Sequence, residues 1–369
     1  AVAHALYGTV LENSVTRLEQ YAACAYAHFL MYGLKLSERE QYEFAPVDMG
    51  NIFHETLEAF SKKLDASDYT WKTLPREVAD EWVEECLASL TVDYGNTVLN
   101  SSARNSYMIR RMARILKRTV WALGEQIRKG MFTPENYEIS FSGVSDLEAI
   151  NIELSPEEQL KLRGRIDRVD TCEDAEHVYV KVIDYKSGTT SFQLLALYHG
   201  LQLQLVIYLN AAMELMKKEH PDKEVLPAGV LYYQIQDPVL DTDGEEADVT
   251  ARVLEKLKPN GLINGDPEII KRLDQSMPGR SQVLPIAYNK DGSLRAGSPV
   301  ASGEQFAALS RYVNRKIRKI GSEVLDGRMD VNPYELKGKT ACDYCAYSGV
   351  CGLDSKTGGF HRRRLPIFG

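Results

Sequence analysis

The chain has 369 residues, 44% hydrophobic and 26% charged, with a formal net charge of −8 and a pI near 5.5. No apolar run approaches the length of a membrane span, so a soluble, cytoplasmic globular chain with no membrane contact is expected. The acidic balance excludes a nucleic-acid binder that works by bulk charge and leaves only local basic clusters for that purpose.

Taken in chain order, apolar residues at helical spacing predict helices over 14–33, 48–64, 74–100 and 101–129. The first carries Cys24. The second carries His54 among Phe53, Leu57, Phe60 and Leu64, a setting in which a lone histidine is more often a satisfied core or surface group than a ligand. The fourth concentrates Arg104, Arg110, Arg111, Arg114, Lys117, Arg118, Arg128 and Lys129, which could meet phosphates or simply face water.

Strands are predicted over 138–143, 162–169 and 178–186. In the last, Val178, Tyr179, Val180, Val182 and Ile183 read as a buried strand, and period two puts Asp184 and Lys186 on one face. The polar segment 171–177 turns the chain, and a turn centred near Ala175 would bring Asp167 roughly opposite Asp184. Two carboxylates in one small volume resist ionisation unless a divalent cation or the Lys186 ammonium offsets them. Mg²⁺ suits such a place, because it takes oxygen ligands, keeps several waters and is commonly held by one or two carboxylates plus substrate phosphates. That is the chemistry of phosphodiester hydrolysis, with Lys186 orienting or helping to deprotonate the attacking water. An edge hairpin with ordinary surface charges and an Asp–Lys ion pair is the alternative these residues leave open.

A helix over 201–218 follows, with Gln204 and Tyr208 on one face at i and i+4, then a strand over 228–236 and an acidic loop over 240–247. A further helix begins at 266–267, 279–302 is a turn-rich strand region, and 304–325 is a helix loaded with Arg311, Arg315, Lys316, Arg318 and Lys319. Gly338-Lys339-Thr340 looks like the end of a phosphate-binding loop, but Pro333 stands where that loop needs glycine, so ATP binding is not expected. Cys342, Cys345 and Cys351 form a C-x2-C-x5-C cluster with Cys24 as candidate fourth ligand, while Cys86 and Cys172 look spare. Such spacing fits a metal or iron-sulfur site better than disulfides, with zinc equally open on spacing alone.

Asp167 followed by Asp184-Tyr185-Lys186 resembles the RecB-like branch of the PD-(D/E)XK nucleases. Gly50-Asn51-Ile52-Phe53-His54 looks like the family's Gly-x-x-x-His element, and Gln204-Leu205-Val206-Ile207-Tyr208 like its Gln-x-x-x-Tyr element. The resemblance implies an α/β, restriction-endonuclease-like core: a small mixed β-sheet flanked by helices. It implies a Mg²⁺- or Mn²⁺-dependent deoxyribonuclease of exonuclease type, with His54, Asp167, Asp184 and the Tyr185 carbonyl on the metal. Lys186 would stand at the attacking water, and Gln204 and Tyr208 beside the metal and the DNA backbone.

The cysteine layout is similar to that of iron-staple nucleases, which implies a [4Fe-4S] cluster on Cys24, Cys342, Cys345 and Cys351, with Ala25 where many relatives carry proline. From Leu6-Tyr7-Gly8 and Ser14 to Glu19 through to the last cysteine, the chain resembles the C-terminal nuclease domain of the AddB family, whose members serve in helicase-nuclease complexes. This implies one domain over 1–369, with a nuclease core at 45–236 and cluster-binding segments at 1–40 and 335–355, excised from a longer protein. The implied partners are a single-stranded DNA end fed from a duplex, an AddA-like helicase subunit and the missing N-terminal part of the same chain. The implied role is processing of double-strand ends for recombinational repair by degrading the 5′-ended strand. A nuclease-inactive DNA-binding or scaffold module of the same complex is the alternative.

Overall fold

The computed structural model describes residues 2–39, 44–92, 102–142, 144, 146–240, 246–277, 281, 283–354 and 361–367. Helix α1 (Val2–Tyr7) and strand β1 (Val10–Ser14) lead into α2 (Val15–Ala23), whose N-cap Ser14 accepts the Arg17 N–H. The single helix expected over 14–33 is instead α2, α3 (Ala25–His28) and a π-helical turn (Phe29–Gly33), because Cys24 is extended at φ −161°, ψ 113°. Helix α4 (Pro46–Asp65) starts on a proline, with Asp48 accepting the Ala45 N–H at 2.7 Å. Helices α5 (Arg76–Thr91) and α6 (Ala103–Lys129) pack with it. Residues 93–101, which the expected helices 74–100 and 101–129 include, lie outside the described residues.

Strands β2 (Thr133–Ser140), β3 (Asn151–Ser155), β4 (Glu158–Arg163), β5 (Arg165–Glu173) and β6 (His177–Lys186) follow. Two expectations are corrected here. The strand placed over 138–143 starts at Thr133, and the one placed over 162–169 is two strands split at Gly164. On either side of that glycine the chain changes sheets: β4 sits between β1 and β3, whereas β5 enters the main sheet.

Beyond β6 come α7 (Leu194–Tyr198), α8 (Gln204–Glu219), β7 (Glu224–Gln234), α9 (Glu246–Lys256), β8 (Asn260–Asn264), α10 (Pro267–Leu273), β9 (Val300–Ala301) and α11 (Gly303–Leu325). Helix α11 opens with a reciprocal box in which Ser302 and Gln305 cap each other's backbone N–H. Helix α9 takes up the end of the expected acidic loop, whose residues 241–245 lie outside the described ones. The C-terminal segment holds β10 (Tyr334–Leu336), β11 (Lys339–Thr340), α12 (Ser348–Cys351) and β12 (Arg363–Arg364). Lys337 and Gly338 both have positive φ, 50° and 79°, and form the two-residue turn between β10 and β11. Gly338-Lys339-Thr340 is therefore a hairpin corner, not a loop leading into a helix.

The main sheet runs β2-β5-β6-β7-β8-β9, with β5 and β6 antiparallel and β6 and β7 parallel around the crossover helix α8. Strand β6 is buried on both faces, which is why it is apolar nearly throughout. Val178, Val180 and Val182 share a core with Val206 and Leu209 of α8 and Val313 and Ile317 of α11. Tyr179, Ile183 and Tyr185 share the opposite core with Phe53 and Phe60 of α4 and Leu116 of α6. The result is the expected mixed α/β core, a six-stranded mixed sheet flanked by helices. Among the described residues no helix is long and apolar enough to cross a membrane.

Candidate metal centre and cysteine cavity

The β5–β6 hairpin closes on Asp174, whose Oδ1 accepts the N–H groups of Glu176 and His177 at 3.0 and 2.8 Å. Pairing runs from Glu173↔Val178 to Arg168↔Ile183, so Asp167 and Asp184 are the next residues along the two strands, and both are buried. The Tyr185 N–H donates to Asp167 Oδ2 at 2.7 Å and fixes that carboxylate. From α4, His54 Nδ1 comes to 3.3 Å from Asp167 Oδ1 and 3.8 Å from Glu138 Oε1. Gly50 has a physical reason to be glycine, because a Cβ there would lie 3.2 Å from Ser187 Oγ, just past β6. Its bare backbone lets α4 bring His54 to the strand ends.

His54, Glu138 and Asp167 each offer a ligand atom within 4.8 Å of the others. Asp184 stands outside that set: its Oδ2 is 2.6 Å from Lys186 Nζ. Lys186 also donates to Gln204 Oε1 at 2.9 Å, and Gln204 Nε2 donates to the Tyr208 hydroxyl at 2.9 Å. The Tyr185 ring lies on the opposite face, where Arg168 Nη1 donates to its hydroxyl at 3.3 Å. The structure thus brings together all seven residues from His54 to Tyr208 singled out in the sequence, and adds Glu138.

Glu138 carried no sequence signal. It lies between the pairs Tyr137↔Arg168 and Ile139↔Ile166, across from Asp167, with an irregularity between Pro134 and Asn136 upstream. Its φ of 51° is left-handed, a conformation that costs a non-glycine residue roughly 1–3 kcal/mol and clusters at functional sites. Arg165 Nε pairs with its Oε2.

Burial pushes the Asp184 carboxyl up, the Asp167 charge adds to this, and Lys186 and His54 only partly counter it. Burial disfavours charge on His54, but hydrogen bonds and attraction from Asp167 and Glu138 outweigh it and push the imidazole up to about 10. Burial also raises Glu138, against the pull of His54. An imidazole among buried carboxylates is a donor set that fits a hard divalent cation.

Cys24, Cys342, Cys345 and Cys351, all free thiols, line one cavity of about 200 Å³. Cys86 lies on α5 and Cys172 on β5, away from it. The Ala25 N–H donates to Asn332 Oδ1 at 2.9 Å, the Tyr26 N–H to the Asp330 carbonyl at 3.1 Å, and Arg363 to the Ala22 carbonyl. The extended Cys24 is therefore held by the C-terminal segment. No three of the four sulfurs fall within 4.8 Å of one another.

Both basic helices mix paired and unpaired charges. On α6, Arg114 and Arg118 pair with Asp237, Lys117 with Glu84 and Arg128 with Glu125. Arg104, Arg110 and Arg111 of α6, and Arg311, Arg315 and Arg318 of α11, are exposed without a carboxylate partner among the described residues.

A family model described as the PD-(D/E)XK nuclease superfamily matches residues 12–352. Several bacterial proteins named as one subunit of an ATP-dependent helicase/deoxyribonuclease are similar to this chain. That of Lachnoclostridium phytofermentans is 43% identical over 99% of the chain, and that of Thermoanaerobacter sp. (strain X514) 39% identical over 96%. A third, from Alkaliphilus oremlandii, is 37% identical over 95% of the chain. The chain spans 31% of the length of each of these relatives. Since the matched span takes in every site residue from Cys24 to Cys351, the chain belongs to the PD-(D/E)XK nuclease superfamily.

Proposed function

We propose that this chain is the nuclease part of an AddB-like component of a helicase-nuclease and hydrolyses phosphodiester bonds of DNA as a Mg²⁺- or Mn²⁺-dependent exonuclease. The observation that carries the reading is the convergence on one strand end of paired Asp167 and Asp184, His54 at 3.3 Å from Asp167, and Lys186 at 2.6 Å from Asp184. His54, Asp167, Asp184 and the Tyr185 carbonyl would hold the cation, with Glu138 beside them. When bound, Mg²⁺ supplies charge stabilisation at the phosphoryl oxygens and an acidified water.

The chain's own groups do the rest. The Tyr185 N–H keeps Asp167 in one orientation, and Asp184 and Gln204 hold the Lys186 ammonium where it can meet a phosphoryl oxygen or orient the attacking water. Tyr208 steadies Gln204 and, by the family resemblance, would lie beside the DNA backbone.

The cysteine cavity is assigned to a [4Fe-4S] cluster on Cys24, Cys342, Cys345 and Cys351. Four cysteines lining one cavity, with one before the paired acids and three after them as in iron-staple nucleases, support that reading. The exposed arginines of α6 and α11 make either helix a candidate for contact with the phosphates of a single strand. By likeness to the helicase/deoxyribonuclease relatives, the whole protein works with a helicase partner and the rest of its own chain on duplex ends, degrading the 5′-ended strand in recombinational repair.

The test is cleavage of labelled single-stranded DNA with Mn²⁺ or with EDTA, in wild type and Asp184→Ala. Cleavage is expected to vanish in the variant while fold and visible absorption remain. Undiminished cutting would remove Asp184 from its role, and DNA binding without any metal-dependent cutting in the wild type would favour the scaffold reading.

A further inference from the structure

Helix α8, which carries Gln204 and Tyr208, has no capping side chain of its own: its N-cap is Leu203, in a helical conformation. The first N–H groups of a helix need partners from elsewhere. They find one in α2, where Glu19 Oε1 accepts the N–H of Leu203 at 2.6 Å and that of Gln204 at 3.1 Å. A carboxylate is well suited to that end of a helix as acceptor, and although burial pushes Glu19 up to about 7, the two N–H groups and the charge of Lys186 favour its ionised form.

Glu19 is five residues before Cys24, on the helix whose far end is held by Arg363 at Ala22, while Asn332 and Asp330 hold Ala25 and Tyr26 just beyond Cys24. On its other side the cap continues into the catalytic centre. Gln204, whose backbone Glu19 holds, uses its side chain to receive Lys186 at 2.9 Å, and Lys186 reaches Asp184 at 2.6 Å. A continuous set of contacts thus runs from the cysteine cavity through α2 and Glu19 to the ammonium.

We propose that Glu19 is a positioning residue through which the cysteine-bearing segments set the place of Gln204 and Lys186, so that loss of order at the cysteines slows cleavage without emptying the metal site. The proposal rests on the nuclease reading given above. It separates two halves of the centre: His54, Glu138 and Asp167 stand on α4, β2 and β5, whereas Lys186 is held through Gln204, whose backbone α2 caps.

The experiment uses the full chain with labelled single-stranded DNA and Mn²⁺, in wild type, Glu19→Ala, Glu19→Gln, Cys345→Ser and the double variant Glu19→Ala/Cys345→Ser. Glu19→Ala is expected to lower kcat about 10- to 100-fold, the usual effect of losing an outer support. KM for DNA and the Mn²⁺ dissociation constant should stay within about twofold, and iron content and visible absorption should be unchanged. Glu19→Gln keeps an acceptor of the same reach and should recover most of the rate. If both substitutions act on one contact path, adding Glu19→Ala to Cys345→Ser should cost far less than it does alone.

Unchanged kcat in Glu19→Ala, equal losses in kcat and Mn²⁺ binding, or fully multiplicative effects in the double variant would each overturn the proposal. If Glu19→Ala gives no cooperative melt, Glu19→Asp, one methylene shorter, is read by the same criteria. Asp184→Ala is run alongside: its retaining activity would overturn the nuclease centre itself, whereas its inactivity beside a fully active Glu19→Ala would overturn only the coupling.

Discussion

At His54 a proton stands in for a cation. Asp167 and Glu138 together raise the imidazole to about 10, so near neutral pH the ring is an imidazolium lying between carboxylates. A metal ligand must be neutral imidazole, and the ion must therefore displace that proton; Asp184, also raised, must lose its own. Mn²⁺ affinity should rise about tenfold per pH unit for each proton released, with one proton from His54 released throughout pH 7 to 9. Calorimetry in buffers of different ionisation enthalpy measures this number, and a pH-independent affinity would refute it. The linkage to folding has a definite sign. His54 is raised from 6.5, so in the metal-free protein its charge contributes stability fully below 6.5 that is lost as pH rises through about 10. Glu138→Gln removes one of the two charges responsible and should lower the His54 titration midpoint seen by NMR; an unmoved midpoint would take Glu138 out of the centre.

Behind the β5–β6 hairpin, on the face away from Asp167, the two strands carry a buried ion network. Arg168 donates to both oxygens of Asp170 at 2.5 and 2.7 Å, Lys181 meets Asp170 Oδ2 at 2.9 Å across the ladder, and Arg168 reaches the Tyr185 hydroxyl. One carboxylate serves two cations there. Asp170→Asn would leave both unpaired, whereas Arg168→Met would leave a neutral Asp170–Lys181 pair. Asp170→Asn is thus expected to cost roughly 3–5 kcal/mol, and distinctly more than Arg168→Met, by urea unfolding at unchanged slope. The reverse order would show that the guanidinium, not the carboxylate, anchors the pair.

This hairpin was also the most legible part of the sequence. Charges inside an apolar period-two run can be read directly, and the polar turn set the pairing of Asp167 with Asp184. The split at Gly164 was not legible, because Leu160 and Leu162 continue the alternation into Ile166. Nor was the break at Cys24, flanked by Ala22, Ala23 and Ala25, all willing helix formers; tertiary bonds from Asn332 and Asp330 impose it. Glu138 turns toward Asp167 only through a left-handed residue, which no side-chain pattern announces.

Over the whole molecule, the two ends of the chain meet beside the cysteine cavity. Cys24 and Cys342 are 318 positions apart (342 − 24), and closing a loop of that size in the unfolded chain is worth on the order of 5–6 kcal/mol. That is comparable to the entire stability of many domains. Among the described residues the cysteine-bearing segments are also joined by the contacts of Asn332, Asp330 and Arg363 and by the Tyr347 hydroxyl donating to the Leu36 carbonyl at 2.8 Å, at about 1 kcal/mol each, and by a small core of Ala27, Leu30 and Tyr347, while α2 packs on α11 in the large core. The sheet and its two large cores do not depend on the cavity. Cys345→Ser should therefore lower stability by roughly 5 kcal/mol, within the factor of two such loop estimates carry, and should do so unevenly. Limited proteolysis is expected to cut first between α11 and β12, while the β5–β6 hairpin stays protected and Mn²⁺ still binds. Should the variant lose its iron yet keep both its urea midpoint and its resistance to protease, the cysteines would have no part in tying the ends together.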